Sequence, residues 1–270
     1  MKTLKGKNMG KIIAFANQKG GVGKTTTCIN VAAYIAAMGK RVLVVDMDPQ
    51  GNASSGLGVE KTKELATLYD VIAGEKTSAE VIQKSIMKGL DIIPSTVDLA
   101  GAEIELVQKD ARERVVKEIL TPLRAIYDYI FIDCPPSLGL LTVNALTASD
   151  SVAIPIQCEF FALEGLSQLM NTIKLVVKHL NSELKVEGVI LTMRDNRSNL
   201  VQQVSEEIRR FFKEKVFNES VPRSIRLAEA PSHGKPIILY DPKSKGAVAY
   251  MEIAKELLKR NNDSYKNITI

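Results

Sequence analysis

The chain has 270 residues, 45% apolar and 25% charged, with a net charge of +5, which suits a globular protein with a sizeable core. No apolar run reaches the ~18–20 residues that a membrane-spanning helix needs. Its three cysteines, Cys28, Cys134 and Cys158, lie in apolar surroundings without a C-x-x-C spacing, which argues for buried free thiols in a reducing cytosol and against a metal framework.

In chain order, residues 1–9 (MKTLKGKNM) are basic through Lys2, Lys5 and Lys7 and run into a strand-like segment with no cleavage site, so they do not read as a secretory signal. They are expected to be a disordered extension, with Met9 an alternative start. KIIAFA (11–16) reads as a strand, 25–38 as a helix stopped by Gly39, and RVLVVD (41–46) as a second strand. LDIIP (90–94), YDYIFID (127–133), DSVAIPI (150–156) and VEGVILT (186–192) continue the strand series. Helical patterns fill 97–120, 162–180, 198–213 and 247–260. Short apolar strands alternating with helices predict an α/β fold: one doubly wound domain, mostly parallel, over 10–260, with a polar tail at 261–270. In such sheets ligands sit at the carboxyl ends of the strands. The charged helices between 60 and 120 are expected to face a partner.

Between the first strand and first helix stands NQKGGVGKTTT (17–27). It almost fits the phosphate-loop pattern G-x-x-x-x-G-K-[ST]. Gly23, Lys24 and Thr25 fall in place, but Gln18 replaces the first glycine and a second lysine, Lys19, stands beside it. Gly20, Gly21 and Gly23 let backbone N–H groups turn inward, and the helix N-terminus adds partial positive charge. Lys24 suits the β- and γ-phosphates and Thr25 suits Mg²⁺. The nucleotide-binding set read from the loop is Gly20, Gly21, Val22, Gly23, Lys24, Thr25 and Thr26, with the role of Lys19 left open. Two strands end in acids: Asp46 and Asp48 in VVDMDPQGN, and Asp133 in IDCPPSLG. An apolar strand ending in Asp beside a phosphate loop is the Walker B arrangement. Of Asp46 and Asp48, one could order the metal shell while the other positions water.

KGGVGKTT, VDMDPQGN, IDCPPSLG and RLAEAPSHGKP together resemble the ParA/Soj partitioning ATPases of the MinD–ParA–nitrogenase iron protein group, the deviant Walker A P-loop NTPases. The likeness runs from about Gly10 to Lys259 and is greatest to the short Soj type, since no helix-turn-helix domain fits before the loop. It implies that Lys19 crosses a dimer interface to the partner's nucleotide, so that Lys19, Lys24 and Asp48 form the catalytic set, with Asp48 positioning water. It further implies Thr25, Asp46 and Asp133 around magnesium, and adenine contacts from TMRDN (192–196) and VPRSI (221–225), with Met193, Pro222 and Arg223 as candidates. The implied function is ATP-dependent chromosome or plasmid partitioning. An ATP-induced homodimer binds duplex DNA without sequence preference, and a ParB-like centromere-binding protein stimulates slow hydrolysis. The implied location is cytoplasmic and nucleoid-associated, without stable membrane attachment.

From Arg194 to Lys245 there are eleven Lys/Arg against seven Asp/Glu. Arg197 and Arg226 match positions that the family uses for DNA, while Lys235, Lys243 and Lys245 join them on local charge. Few aromatics accompany them, which favours duplex backbone contacts over base stacking. The alternative is a MinD-like membrane-associated cell-division ATPase, which needs an amphipathic C-terminal helix; YMEIAKELLKRNNDSYKNITI presents no aromatic–Lys interfacial face. An iron–sulfur protein would need paired cysteines that Cys134 and Cys158 do not supply. A small-molecule kinase would need an acceptor motif, and none is visible.

Overall fold

The computed structural model describes residues 9–268 apart from Phe160 and Asn196. The predicted extension, with Lys2, Lys5 and Lys7, therefore lies outside the described residues except for Met9, which is exposed.

Seven strands build one sheet: β1 (Lys11–Phe15), β2 (Val42–Asp46), β3 (Gln83–Lys84), β4 (Leu90–Ile93), β5 (Tyr129–Asp133), β6 (Ser151–Gln157) and β7 (Lys185–Thr192). Their spatial order is β3-β4-β2-β5-β1-β6-β7. All neighbours are parallel except β3, which pairs antiparallel with β4. Asp133 on β5 is in register with Phe15 on β1 and with Asp46 on β2. Three strand ends thus meet at one level, which is where doubly wound sheets bind ligands.

The strands read as near-continuous apolar runs because helices cover both faces. Alternation along each strand sorts the side chains. Phe15, Val44 and Phe131 face the helices Lys24–Ala37 and Lys245–Arg260, packing with Tyr34, Tyr250 and Leu257. Ala14, Val45 and Ile132 face the other layer, packing with Leu106, Leu120, Leu146 and Leu169. Each large side chain buried this way contributes on the order of 1.5–3 kcal/mol.

Three elements differ from expectation. The helix predicted over 97–120 is two helices, Leu99–Val107 and Val115–Leu120. Asn144 holds the break: its Nδ2 donates to the Arg112 carbonyl (2.8 Å), and its Oδ1 accepts from the Val116 amide (3.2 Å). Asn144 itself lies on Leu140–Ala148, a helix whose sequence LLTVNALTA has no polar face because it is buried nearly all round. The residues after Arg260 return to the domain instead of trailing away. The Lys266 amide donates to the Met38 carbonyl (3.2 Å), and Asp263 accepts from Lys40 (2.8 Å) and from the Tyr129 hydroxyl.

Candidate nucleotide site

The loop after β1 is held from both sides. The buried Asn17 donates to the Pro155 carbonyl on β6 (2.8 Å) and accepts from the Lys19 amide (3.0 Å). The Thr192 hydroxyl, at the end of β7, donates to the Val22 carbonyl (2.7 Å). Gly21 (φ 74°) and Gly23 (φ 83°) occupy the left-handed region, where a Cβ would be strained. Gly23 precedes the 14-residue helix Lys24–Ala37, whose N-terminus carries no side-chain cap. Its first N–H groups are therefore free of side-chain acceptors, the condition for binding an anion. Gly20, Gly21, Gly23, Lys24, Thr25 and Thr26 line a cleft of about 560 Å³. Val22 does not line it; its side chain is buried. Lys24 is 6% exposed, and Nζ donates to the Lys19 carbonyl (3.1 Å). Burial lowers its pKa, against the pull of Asp133, Cys134 and Asp48.

Three carboxylates stand opposite in different states. Asp46 is fully buried, and its Oδ2 accepts from the Ser54 amide (2.8 Å) and hydroxyl (2.7 Å). Burial raises its pKa to about 6 despite those bonds. Asp133 is also fully buried, but no donor reaches hydrogen-bonding geometry with either oxygen. Burial first, then the charge of Asp46, pushes its pKa well above the ordinary 3.8, while Thr25 and Lys24 pull it down. Asp48 lines the cleft, with Oδ1 accepting from the Gln50 amide (3.0 Å). Among the described residues no three His, Cys, Asp or Glu side chains gather to hold a metal. A cation would take the Thr25 hydroxyl and ligand oxygens, with the unpartnered Asp133 in its shell. That carboxylate fits a magnesium-bearing anion, whereas Asp46 is already engaged by Ser54.

Lys19 is not among the residues that line this cleft. Its ammonium pairs with Glu159, beyond the end of β6, and both side chains are partly exposed. Gln18, in place of the expected glycine, buries its Oε1 without a partner.

A second cleft of about 230 Å³ adjoins the loop through Gly23 and Thr26. Met193, Pro222 and Arg223 line it together, with Leu227 and Tyr250 adding apolar wall. Met193 itself has φ 49°, a left-handed turn at the end of β7. Sequence reasoning missed Gln50, Asn52 and Ser55 on the larger cleft, together with Pro136, Pro231 and Ser232. All six fall in or next to the quoted motifs, so the signal was present but unassigned.

The five residues expected to meet DNA do not share one environment. Arg197 is highly exposed, and Asp195 takes its Nε (3.0 Å) and Nη2 (2.9 Å). Those bonds hold Asp195 down to a pKa of about 2. Arg226 pairs with Glu229 (3.1 Å) and Asp241 (3.4 Å). Lys235, Lys243 and Lys245 are exposed.

A protein-family model described as an AAA domain matches residues 10–186. The sporulation initiation inhibitor protein Soj of Bacillus subtilis is 59% identical over 92% of this chain and 98% of its own length. The chromosome partitioning protein ParA of Myxococcus xanthus is 55% identical, covering 94% of this chain and 89% of its own. The chain belongs to the ParA/Soj family. The ParA/Soj fold also matches a crystal structure of cobyrinic acid a,c-diamide synthase from Mycobacterium smegmatis with bound ADP and magnesium. That match has 36% identity and a TM-score of 0.83, over 94% of this chain and 96% of that one. In this ParA/Soj member the four motifs quoted from the sequence converge on the two joined clefts.

Proposed function

We propose that this protein is an ATP-hydrolysing partitioning switch whose ATP state is a homodimer bound to duplex DNA. Lys24 and the loop amides cradle the phosphates, and the adjoining apolar cleft takes the base. Magnesium, held by Thr25 and phosphate oxygens with Asp133 in its shell, supplies neutralising charge. Asp48, with one oxygen fixed by Gln50 and the other free of hydrogen bonds among the described residues, orients the attacking water. Water adds to the γ-phosphorus as the bond to the bridging oxygen breaks, leaving ADP and phosphate. A ParB-like partner accelerates this step and so releases DNA.

The observation that carries the reading is the direction of Lys19. It leaves its own cleft and lies at the exposed rim, against Glu159, where a second chain can meet it. A cation supplied in trans has most effect on a phosphate already held in cis. The membrane-recruited alternative loses ground on the last helix, where Tyr250, Ile253, Ala254, Leu257 and Leu258 are all buried in the core.

Size-exclusion chromatography of wild type and Asp48→Ala, with ADP or ATP and with or without duplex DNA, tests the proposal. Asp48→Ala is expected to elute as a dimer only with ATP and to shift again with DNA. A monomer in saturating ATP and magnesium would end the proposal.

A further inference from the structure

Beyond β7 the chain turns at Met193, and Arg194 then bridges to Pro222, its amide donating to the Val221 carbonyl (3.0 Å). Arg194 lines a third cleft, of about 340 Å³, with Ser220, Lys243 and Lys245. One carboxylate, Glu219, shares the wall and accepts from the Ser220 amide (3.0 Å). Among the described residues none of the three cations forms an ion pair. Arg194 makes one long contact, Nη1 to the Ser220 hydroxyl (3.4 Å), and its Nε is buried with no acceptor at all. A buried guanidinium nitrogen without an acceptor is costly unless a ligand completes it. Lys245 also opens the 16-residue helix Lys245–Arg260, so the positive end of that helix adds to the same wall.

We infer that this cleft seats one backbone phosphate of duplex DNA, with Arg194 as its principal ligand. The inference rests on the DNA-binding reading above and redistributes its contacts. The guanidinium of Arg197 is taken up by Asp195 and that of Arg226 by Glu229 and Asp241, whereas Arg194, Lys243 and Lys245 present three cations against one carboxylate in a concave site. A planar fork in a recess suits a tetrahedral phosphate better than a solvated surface arginine does.

The test is fluorescence anisotropy of a short labelled duplex with full-length protein carrying Asp48→Ala, in ATP and magnesium, between about 50 and 200 mM salt. Adding Arg194→Gln should weaken binding at least about fivefold and flatten the slope of log K against log salt by about one. Lys243→Gln, an exposed change that does not depend on the cleft's buried packing, should flatten it similarly, and Arg194→Lys should restore the slope. A slope unchanged by both Gln variants overturns the inference. It is also overturned if Arg194→Gln weakens a fluorescent ATP analogue as much as the duplex, or lowers inorganic phosphate binding in calorimetry while duplex binding stands, since the seat would then serve nucleotide or free anion. Should the Asp48→Ala parent ignore duplex at the lowest salt, the DNA-binding reading itself fails and takes this inference with it.

Discussion

The two ends of the sheet treat their charges differently. At the amino ends the carboxylates are answered from within the chain. Glu187 accepts from Lys11 (2.5 Å), Ser151 (2.5 Å) and Asn261 (2.8 Å), and Arg124 grips both oxygens of Asp150 (3.0 and 2.9 Å). At the carboxyl ends Asp133 is unanswered, Lys24 reaches only a carbonyl, and Gly21 of the loop faces open space. Polar groups satisfied within the chain stabilise it, and those left unsatisfied await a ligand. The amino ends are therefore a clasp, and the carboxyl ends a receptor.

The sharpest test of that contrast is Asp48→Ala at the receptor end. Hydrolysis measured by phosphate release should fall at least about a hundredfold while ATP binding persists. Equal loss of both would make Asp48 a binding residue. Next comes Glu187→Gln at the clasp, which should cost about 1.5–2 kcal/mol in denaturant unfolding at neutral pH, because a neutral amide replaces a buried carboxylate that accepts three hydrogen bonds, one of them from a cation. Burial alone would raise the pKa of Glu187, but Lys11, Ser151 and Asn261 outweigh it and hold it below the ordinary 4.5. Its contribution is thus present above about 4.5 and fades as pH falls through its lowered value, so the gap between variant and wild type should close in acid.

Asp133→Asn should behave in the reverse sense. Its folded pKa is raised, so its charged form opposes folding of the ligand-free protein once pH rises past the ordinary carboxylate range. The ligand-free melting temperature at pH 7 should stay level or increase, while magnesium-dependent nucleotide affinity drops by about tenfold or more. A lowered melting temperature would mean that Asp133 is structural. The smallest effect belongs to Lys84→Ala, which takes an exposed lysine from the buried Asp91 (2.8 Å) but leaves that carboxylate the Tyr127 hydroxyl (2.8 Å), and should change stability by less than about 1 kcal/mol.

Much of this contrast could be read before the fold was known, and unevenly. The receptor end was legible because phosphate chemistry demands glycine, lysine and threonine at fixed spacing, and because parallel strands write themselves as apolar runs ending in aspartate. Met193, Pro222 and Arg223 followed from the family likeness and do lie together. The clasp was not legible: Lys11 and Glu187 are 176 positions apart, and nothing local marks them as partners. Helix Leu140–Ala148 hid for a related reason, since burial on all sides erases the amphipathic period. The two-residue strand β3 is shorter than any pattern can register. Arg197 is named for DNA from the family likeness, and that Asp195 takes its guanidinium depends on a turn that composition does not encode.

The hydroxyl of Ser54 does two jobs: it donates to Asp46 at the hub of the sheet and accepts from the Ser95 amide (3.0 Å) beyond β4. Gly51 sits so tightly under the Ser95 carbonyl that a methyl there would lie 2.4 Å from it. Three segments therefore meet at Ser54. Asp46 is thus joined through one oxygen atom to Ser95, 41 positions beyond Ser54 and just ahead of helix Leu99–Val107.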